Sequence, residues 1–240
     1  MLNLPEALAL ATGLALERRV GVERVDLLEA LHRILAQDEE TVLRAGARIE
    51  ARHIGLLAAA GCSRPWVSRR PRVGVIATGS ELVAPDRQPG FGQIRNSNSF
   101  QLSALVAAAS AVPQNYGAVP DDKNAIRAAL HRAMAANDVV VLSGGISNGD
   151  YDLVRAVLEE SAVELLFDRV GPAPENRDAP YFPPPISPEN RVRPYLTAPG
   201  RPVVLGVSDR AFCFGLSGNP VSSFVAFELM VKPFLYALAG

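Results

Sequence analysis

Apolar and polar positions follow two periods in this chain, and the change falls near Pro71. Before it, Leu4 to Leu16 and Val25 to Leu35 carry apolar residues at helical spacing, and Ala51 to Ala60 fits a further short helix. Asn3 and Pro5 read as a cap and an early-turn proline for the first of these. The intervening Asp38 to Gly46 is polar and short, so residues 1–70 are expected to form a helical N-terminal arm too small for an independent core.

From Arg72 onward strands and helices alternate. Strands are predicted over Val73–Ala77, Asn115–Val119, Val139–Leu142, Val163–Phe167, Val203–Val207 and Ala211–Gly215, and helices over Ser97–Ala109, Asp121–Ala136, Tyr151–Glu160 and Pro220–Ala237. In the second helix Ile126, Ala129, Leu130, Ala133 and Met134 recur at i, i+3, i+4, i+7 and i+8, an apolar stripe suited to packing on a sheet. Repeated βα alternation implies an α/β fold with three α/β/α layers and a mostly parallel, doubly wound sheet, filling residues 71–240. Within it, residues 171–202 hold ten prolines. They are expected to form an extended excursion, either a surface spacer or a lid over a site.

Val139 to Leu142 is uninterrupted and mostly β-branched, as in a strand covered on both faces, and it breaks into Ser143, Gly144 and Gly145. Paired glycines admit backbone N–H groups close to an anion, and Asp150 and Asp152 add carboxylates beside it, a combination that suits a hydrated Mg²⁺. The same stretch is also compatible with an ordinary strand-to-helix turn capped by Asp150. Two more polar, glycine-bearing turns, Thr78–Leu82 and Leu216–Pro220, follow predicted strands. In open α/β sheets ligands bind at such strand ends.

Composition narrows the function classes. The 240 residues hold Lys+Arg 24 against Asp+Glu 25, a net charge of -1, so no global field favours nucleic acid or an anionic membrane. Hydrophobic content of 48% and charged content of 20% are those of ordinary globular chains. Cys62 and Cys213 stand apart and read as buried thiols. His32, His53 and His131 share no metal-ligand spacing. Trp66 reads as a packing anchor between arm and sheet. The start of the chain has no signal-peptide pattern, and Pro220–Ala239 is apolar but interrupted by Glu228, Lys232 and Pro233, so a buried helix and a cytoplasmic protein are expected.

With Asn96-Ser97-Asn98 and Val119-Pro120-Asp121-Asp122 added, residues 71–239 resemble the molybdopterin molybdenumtransferases of molybdenum-cofactor biosynthesis, whose animal relative is the E domain of gephyrin. Thr-Gly-x-Glu-Leu, Gln-Ile-x-x-Ser-Asn, Pro-Asp-Asp, Ser-Gly-Gly-x-Ser-x-Gly-Asp-Tyr-Asp and Gly-Asn-Pro-Val-Ser occur in family order. The resemblance implies a molybdopterin-binding-like domain that binds adenylylated molybdopterin and, with molybdate and Mg²⁺, releases AMP. It implies that Thr78, Gly79, Ser80, Glu81, Ser97 and Asn98 adjoin the ligand and that Ser143, Gly144, Gly145 and Ser147 receive phosphate. Asp150 and Asp152 are to hold the cation, Ser217, Gly218, Asn219 and Ser222 line the same pocket, and Arg201 grips an oxyanion.

The chain departs from the family at several points. The family segment Asp-Asn-Ser-Ala-Met-Asp-Gly and an inserted domain are lacking, so residues 1–70 read as a remnant of a linker domain, and the sequence stops where the family continues into a small β domain. Lys-Pro-Gly-Lys-Pro appears as Ala198-Pro199-Gly200-Arg201-Pro202, which removes one charge and exchanges lysine geometry for arginine geometry at the other. A shortened transferase is therefore weighed against a pterin carrier or partner subunit without turnover, and against a nucleotide enzyme like the adenylyltransferase of the same pathway. Homodimers, and contacts with other proteins of the pathway, are expected by family analogy.

Overall fold

The computed structural model describes residues 2–39, 42–145, 153–171 and 203–240. Six strands build the main sheet: β1 (Arg72–Thr78), β2 (Val112–Val119), β3 (Val139–Ser143), β4 (Glu164–Phe167), β5 (Val203–Val207) and β6 (Phe212–Leu216). Their order is β2-β1-β3-β6-β5-β4. β2, β1, β3 and β6 are mutually parallel, while β5 runs antiparallel to both β6 and β4. The sheet is thus mostly parallel, as the βα alternation predicts. The reversal of β5 was not legible, because a five-residue apolar run carries no sign of direction.

Chain order puts β2 on one side of β1 and β3 on the other, so successive connections diverge between β1 and β3 and leave a crevice at their carboxyl ends. Seven helices are used below: α1 (Leu4–Glu17), α2 (Ala51–Ala59), α3 (Asn98–Ala108), α4 (Lys123–Ala136), α5 (Leu153–Glu160), α6 (Pro220–Ala226) and α7 (Lys232–Ala239). Val73, Val75, Val139, Val141, Phe212 and Phe214 face α1, α3 and α7. Ile76, Val140, Leu142 and Cys213 face α4 and α5. Odd and even strand positions therefore fill two separate cores, as a twofold strand period dictates.

Gly74 lets α4 lie close to the sheet. A Cβ there would approach Asn137 Nδ2 to 3.0 Å and Ala133 Cβ to 3.2 Å. The predicted C-terminal helix forms, with an altered middle. Phe227–Val231 is a π-helical turn between α6 and α7, one turn before Pro233, whose missing N–H and bulky ring disfavour ordinary α-helical bonding upstream. By length and composition Pro220–Ala239 could cross a membrane. Here Phe227, Met230, Val231, Phe234, Leu235 and Leu238 are all buried in the core it shares with the sheet.

The N-terminal region differs from the helical expectation. α1 forms with the predicted Asn3 cap, which the structure extends into a capping box: Asn3 Oδ1 accepts from the Glu6 N–H and the Glu6 carboxylate from the Asn3 N–H, both at 3.0 Å. Its Ala7, Ala11 and Ala15 belong to the core of the main sheet. Val25–Leu35 holds only a 3₁₀ turn, Leu27–Ala30. Val22–Arg24 instead pairs antiparallel with Trp66–Ser68. Val25, Ala30, Leu35, Ile49, Leu57 and Val67 form a small core of their own, so this stretch is not too small to bury one. Two strands of three residues each lie below the length at which alternation can be read. Of the two cysteines expected to be buried, Cys213 is and Cys62 is only partly so. Burial pushes the Cys213 thiol up to about 12.

Candidate functional site

A cavity of about 490 Å³ opens at the crevice between the carboxyl ends of β1 and β3, within the size range of small-molecule sites. Three strand ends supply its polar wall: Thr78 and Gly79 from β1, Ser143 to Gly145 from β3, and Gly218 after β6. Ser97 and Asn98 enter from the start of α3, and Asp121 from the turn after β2. The parallel sheet brings residues more than 130 positions apart into one wall, because strands of one direction end at one edge.

Asn98 ties this wall together. Its Nδ2 donates to Ser143 Oγ at 2.7 Å and to the Gly218 carbonyl at 2.8 Å, and Ser143 Oγ donates onward to the Ser217 carbonyl at 3.2 Å. One amide thus joins α3, β3 and the β6–α6 turn. Among the described residues its Oδ1 accepts nothing, and Thr78 Oγ1 makes no hydrogen bond. Thr78 is 5% and Asn98 8% exposed, so both are polar groups held out of water without a partner among the described residues, an arrangement that native structures seldom retain without a use.

The two glycines after β3 act sterically. Gly144 has φ +98 and Gly145 φ +64, and a Cβ on Gly144 would lie 2.4 Å from the Thr78 carbonyl oxygen. The Gly144 N–H donates to the Leu216 carbonyl at 3.1 Å. It is therefore spent on the sheet and does not face an anion, contrary to the reading that both glycines offer their N–H groups to phosphate. Likewise the Gly79 N–H donates to the Val119 carbonyl at 3.0 Å.

Of the remaining expected residues, Ser80 and Asp121 pair with each other: the Ser80 N–H donates to Asp121 Oδ2 at 3.2 Å and the Asp121 N–H to Ser80 Oγ at 2.9 Å. Glu81 and Asp121 both line the cavity. They supply hard carboxylate oxygens of the kind Mg²⁺ takes. Ser217 Oγ accepts the Asn219 N–H at 3.2 Å, and Asn219 caps α6 by accepting from the N–H groups of Val221 and Ser222. Ser80, Ser217, Asn219 and Ser222 thus surround the cavity without lining it. Ser147, Asp150, Asp152 and Arg201 lie outside the described residues. Leu82, the end of the predicted Thr78–Leu82 turn, lines the cavity, and so do Ile94, Arg95 and Asp121, to which sequence reasoning gave no site role. Leu82–Val83 and Ile94–Arg95 form a two-residue parallel ladder, and only the alternation around the quoted Gln-Ile-x-x-Ser-Asn motif hinted at it.

A three-layer α/β sheet with a polar cavity at its switch point defines a small-molecule-binding α/β domain. The chain belongs to the family described as "Probable molybdopterin binding domain", which matches residues 74–237. It is 32% identical over 200 residues to the molybdopterin molybdenumtransferase of Bacillus subtilis and 33% identical over 202 residues to that of a Nostoc species, covering 83% of this chain and 41% of each relative. The chain therefore spans about two-fifths of the length of these curated relatives. Among solved structures it is similar to a molybdenum cofactor biosynthesis protein from Pyrococcus furiosus, with TM-score 0.66, 27% identity and coverage of 100% of this chain and 72% of that one. The molybdopterin biosynthesis MoeA protein of Pyrococcus horikoshii has the same fold at TM-score 0.73 and 20% identity, covering 100% and 80%.

Proposed function

We propose that the cavity binds molybdopterin, presented in its adenylylated form, and that the chain takes part in inserting molybdenum from molybdate with release of AMP. The observation that carries this reading is the pair of nine-tenths-buried groups in its wall that find no partner among the described residues, Thr78 Oγ1 and Asn98 Oδ1, in a chain of the molybdopterin-binding family. A pterin edge carries amine and ring N–H donors, which are what an acceptor such as Asn98 Oδ1 lacks.

In this reading Thr78 and Asn98 orient the pterin, and Ser143 holds Asn98 in place. The Gly145–Ser147 turn receives phosphate, and Arg201 grips an oxyanion. Asp150 and Asp152, aided by Glu81, hold a Mg²⁺ ion, whose chemistry is neutralisation of charge on the adenylate bridge. Cleaving that bridge asks for positioning and charge compensation more than for a protein nucleophile. The protein acts in the cytoplasm and as a homodimer. A second reading, a pterin carrier or partner subunit without turnover, is favoured by Ala198, which stands where the family motif has lysine.

Titration calorimetry with molybdopterin and its adenylylated form, with and without Mg²⁺, followed by AMP detection after addition of molybdate, separates the two. Binding with AMP release supports the transferase, and Asp150→Ala is then expected to abolish the Mg²⁺-dependent release without unfolding the chain. Binding without release supports the carrier. Absence of binding to either pterin sinks both.

A further inference from the structure

No aromatic side chain lines the cavity among the described residues. A flat heterocycle held there finds hydrogen-bonding edges, aliphatic groups from Leu82 and Ile94 and the Arg95 side chain, but no aromatic ring among the described residues to stack on. Two aromatic residues of the described structure lie close in sequence to this wall: Phe100, two positions after Asn98 and 53% exposed, and Phe91, three positions before Ile94. Phe91 is fully exposed, at 110% of its reference area, the most exposed large apolar side chain in the described structure.

The segment that carries it is built rather than loose. Its base is the ladder of Leu82–Val83 with Ile94–Arg95, closed by the Ile94 N–H donating to the Glu81 carbonyl and the Asn96 N–H to the Val83 carbonyl, both at 2.9 Å. Arg95, itself a cavity residue, staples one limb by donating to the Pro85 carbonyl at 3.1 Å and to Gln88 Oε1 at 3.2 Å. At the tip, the Gln93 N–H donates to the Gly90 carbonyl at 3.1 Å, and the Gly90 N–H donates to Gln93 Oε1 at 3.0 Å. Gly92 has φ +73, as position i+2 of a type II turn requires, which sets Phe91 at position i+1, the corner. Three residues of chain span at most about 11 Å, which bounds the distance between the Cα of Phe91 and that of Ile94, a residue of the cavity wall. A turn held by two hydrogen bonds and a left-handed glycine thus presents a ring fully exposed to solvent.

We infer that Phe91 is the stacking platform for the planar heterocycle of the bound ligand, a pterin or the purine of its adenylylated form, at the mouth of the cavity. The inference rests on the reading that the cavity takes a pterin. Aromatic stacking is insensitive to the hydrogen-bonding pattern of the ring and adds affinity without a charge. The cavity wall then reads the polar edges, and Phe91 covers the face.

The test compares the parent chain with Phe91→Ala and Phe91→Trp, titrated with molybdopterin, its adenylylated form and AMP. Because the Phe91 side chain is fully exposed, both variants are expected to keep the parent melting temperature. Phe91→Ala is expected to weaken Kd roughly 5- to 150-fold, the range that loss of one base–aromatic stack produces. Phe91→Trp is expected to bind as the parent does, with its added fluorescence quenched by ligand. A loss seen with molybdopterin itself places the pterin on Phe91, and a loss confined to the adenylylated form and AMP places the purine there. Parental affinity in Phe91→Ala overturns the inference while leaving the cavity reading intact. So does a change in oligomeric state at unchanged affinity, which would make Phe91 a contact between chains. A parent chain with no affinity for any of the three ligands removes the cavity reading and the stacking role together.

Discussion

At Gly144 a single missing methyl group decides whether the site can form. The turn after β3 passes over the end of β1 so closely that a Cβ would sit 2.4 Å from the Thr78 carbonyl oxygen, at a backbone φ of +98 that side chains avoid. Gly144→Ala is expected to cost about 2–3 kcal/mol, read as a lower urea midpoint at unchanged slope. Gly218 is a control: a Cβ there would meet Gly144 Cα at 3.4 Å and Gly144 N at 4.0 Å, both ordinary contacts, so Gly218→Ala is expected to leave the midpoint nearly unchanged. The glycines of the Ser-Gly-Gly run could be singled out from sequence as belonging to a ligand turn. Their task could not, because the neighbour that forbids a side chain is 66 residues away along the chain.

Helices α4 and α5, which cover one face of the sheet, are joined at their exposed ends by Glu160, whose carboxylate receives both Lys123 and Arg127. These two cations hold the Glu160 pKa below its ordinary value. A carboxylate whose folded pKa is depressed contributes stability that is present above its unfolded pKa and is lost as pH falls through the folded one. Glu160→Gln is therefore expected to lower the melting temperature slightly at neutral pH and to make no difference once the pH lies well below the usual carboxylate range. A melting series of both proteins across acid pH checks this, and raised salt should shrink the gap, since the group is fully exposed. Long elements of this kind were readable in advance. The stripe of Ile126, Ala129, Leu130 and Ala133 lies buried, and the Asn3 cap forms as residue types alone imply. Short elements were not, as the pairing of Val22–Arg24 with Trp66–Ser68 illustrates.

For the whole molecule the division of the apolar core matters more than the position along the chain. α1 comes first in sequence, yet its buried alanines sit in the same cluster as Val139, Phe214 and Phe234. Residues between Val25 and Val67 bury a separate, smaller set. Native-state hydrogen exchange is expected to protect α1 amides to the same free energy as those of β3 and β6, while amides between residues 22 and 68 exchange through a lower-energy opening. Equal protection of both regions would show that the two cores open as one unit.

The sequence by itself determined the α/β class, all six strands of the sheet, the helices long enough to show a period, and the membership in the molybdopterin-binding family, since each is written in local pattern or in motifs of fixed spacing. Tertiary structure alone decided that β5 is reversed and that α1 joins the main core. It also decided that the Gly144 N–H serves the sheet rather than a ligand, and that Asn98 ties the ends of β3 and β6 to α3 with one amide. These depend on which residues meet across the fold. Such meetings are set by packing of distant segments, and a local pattern of apolar and polar residues does not encode them.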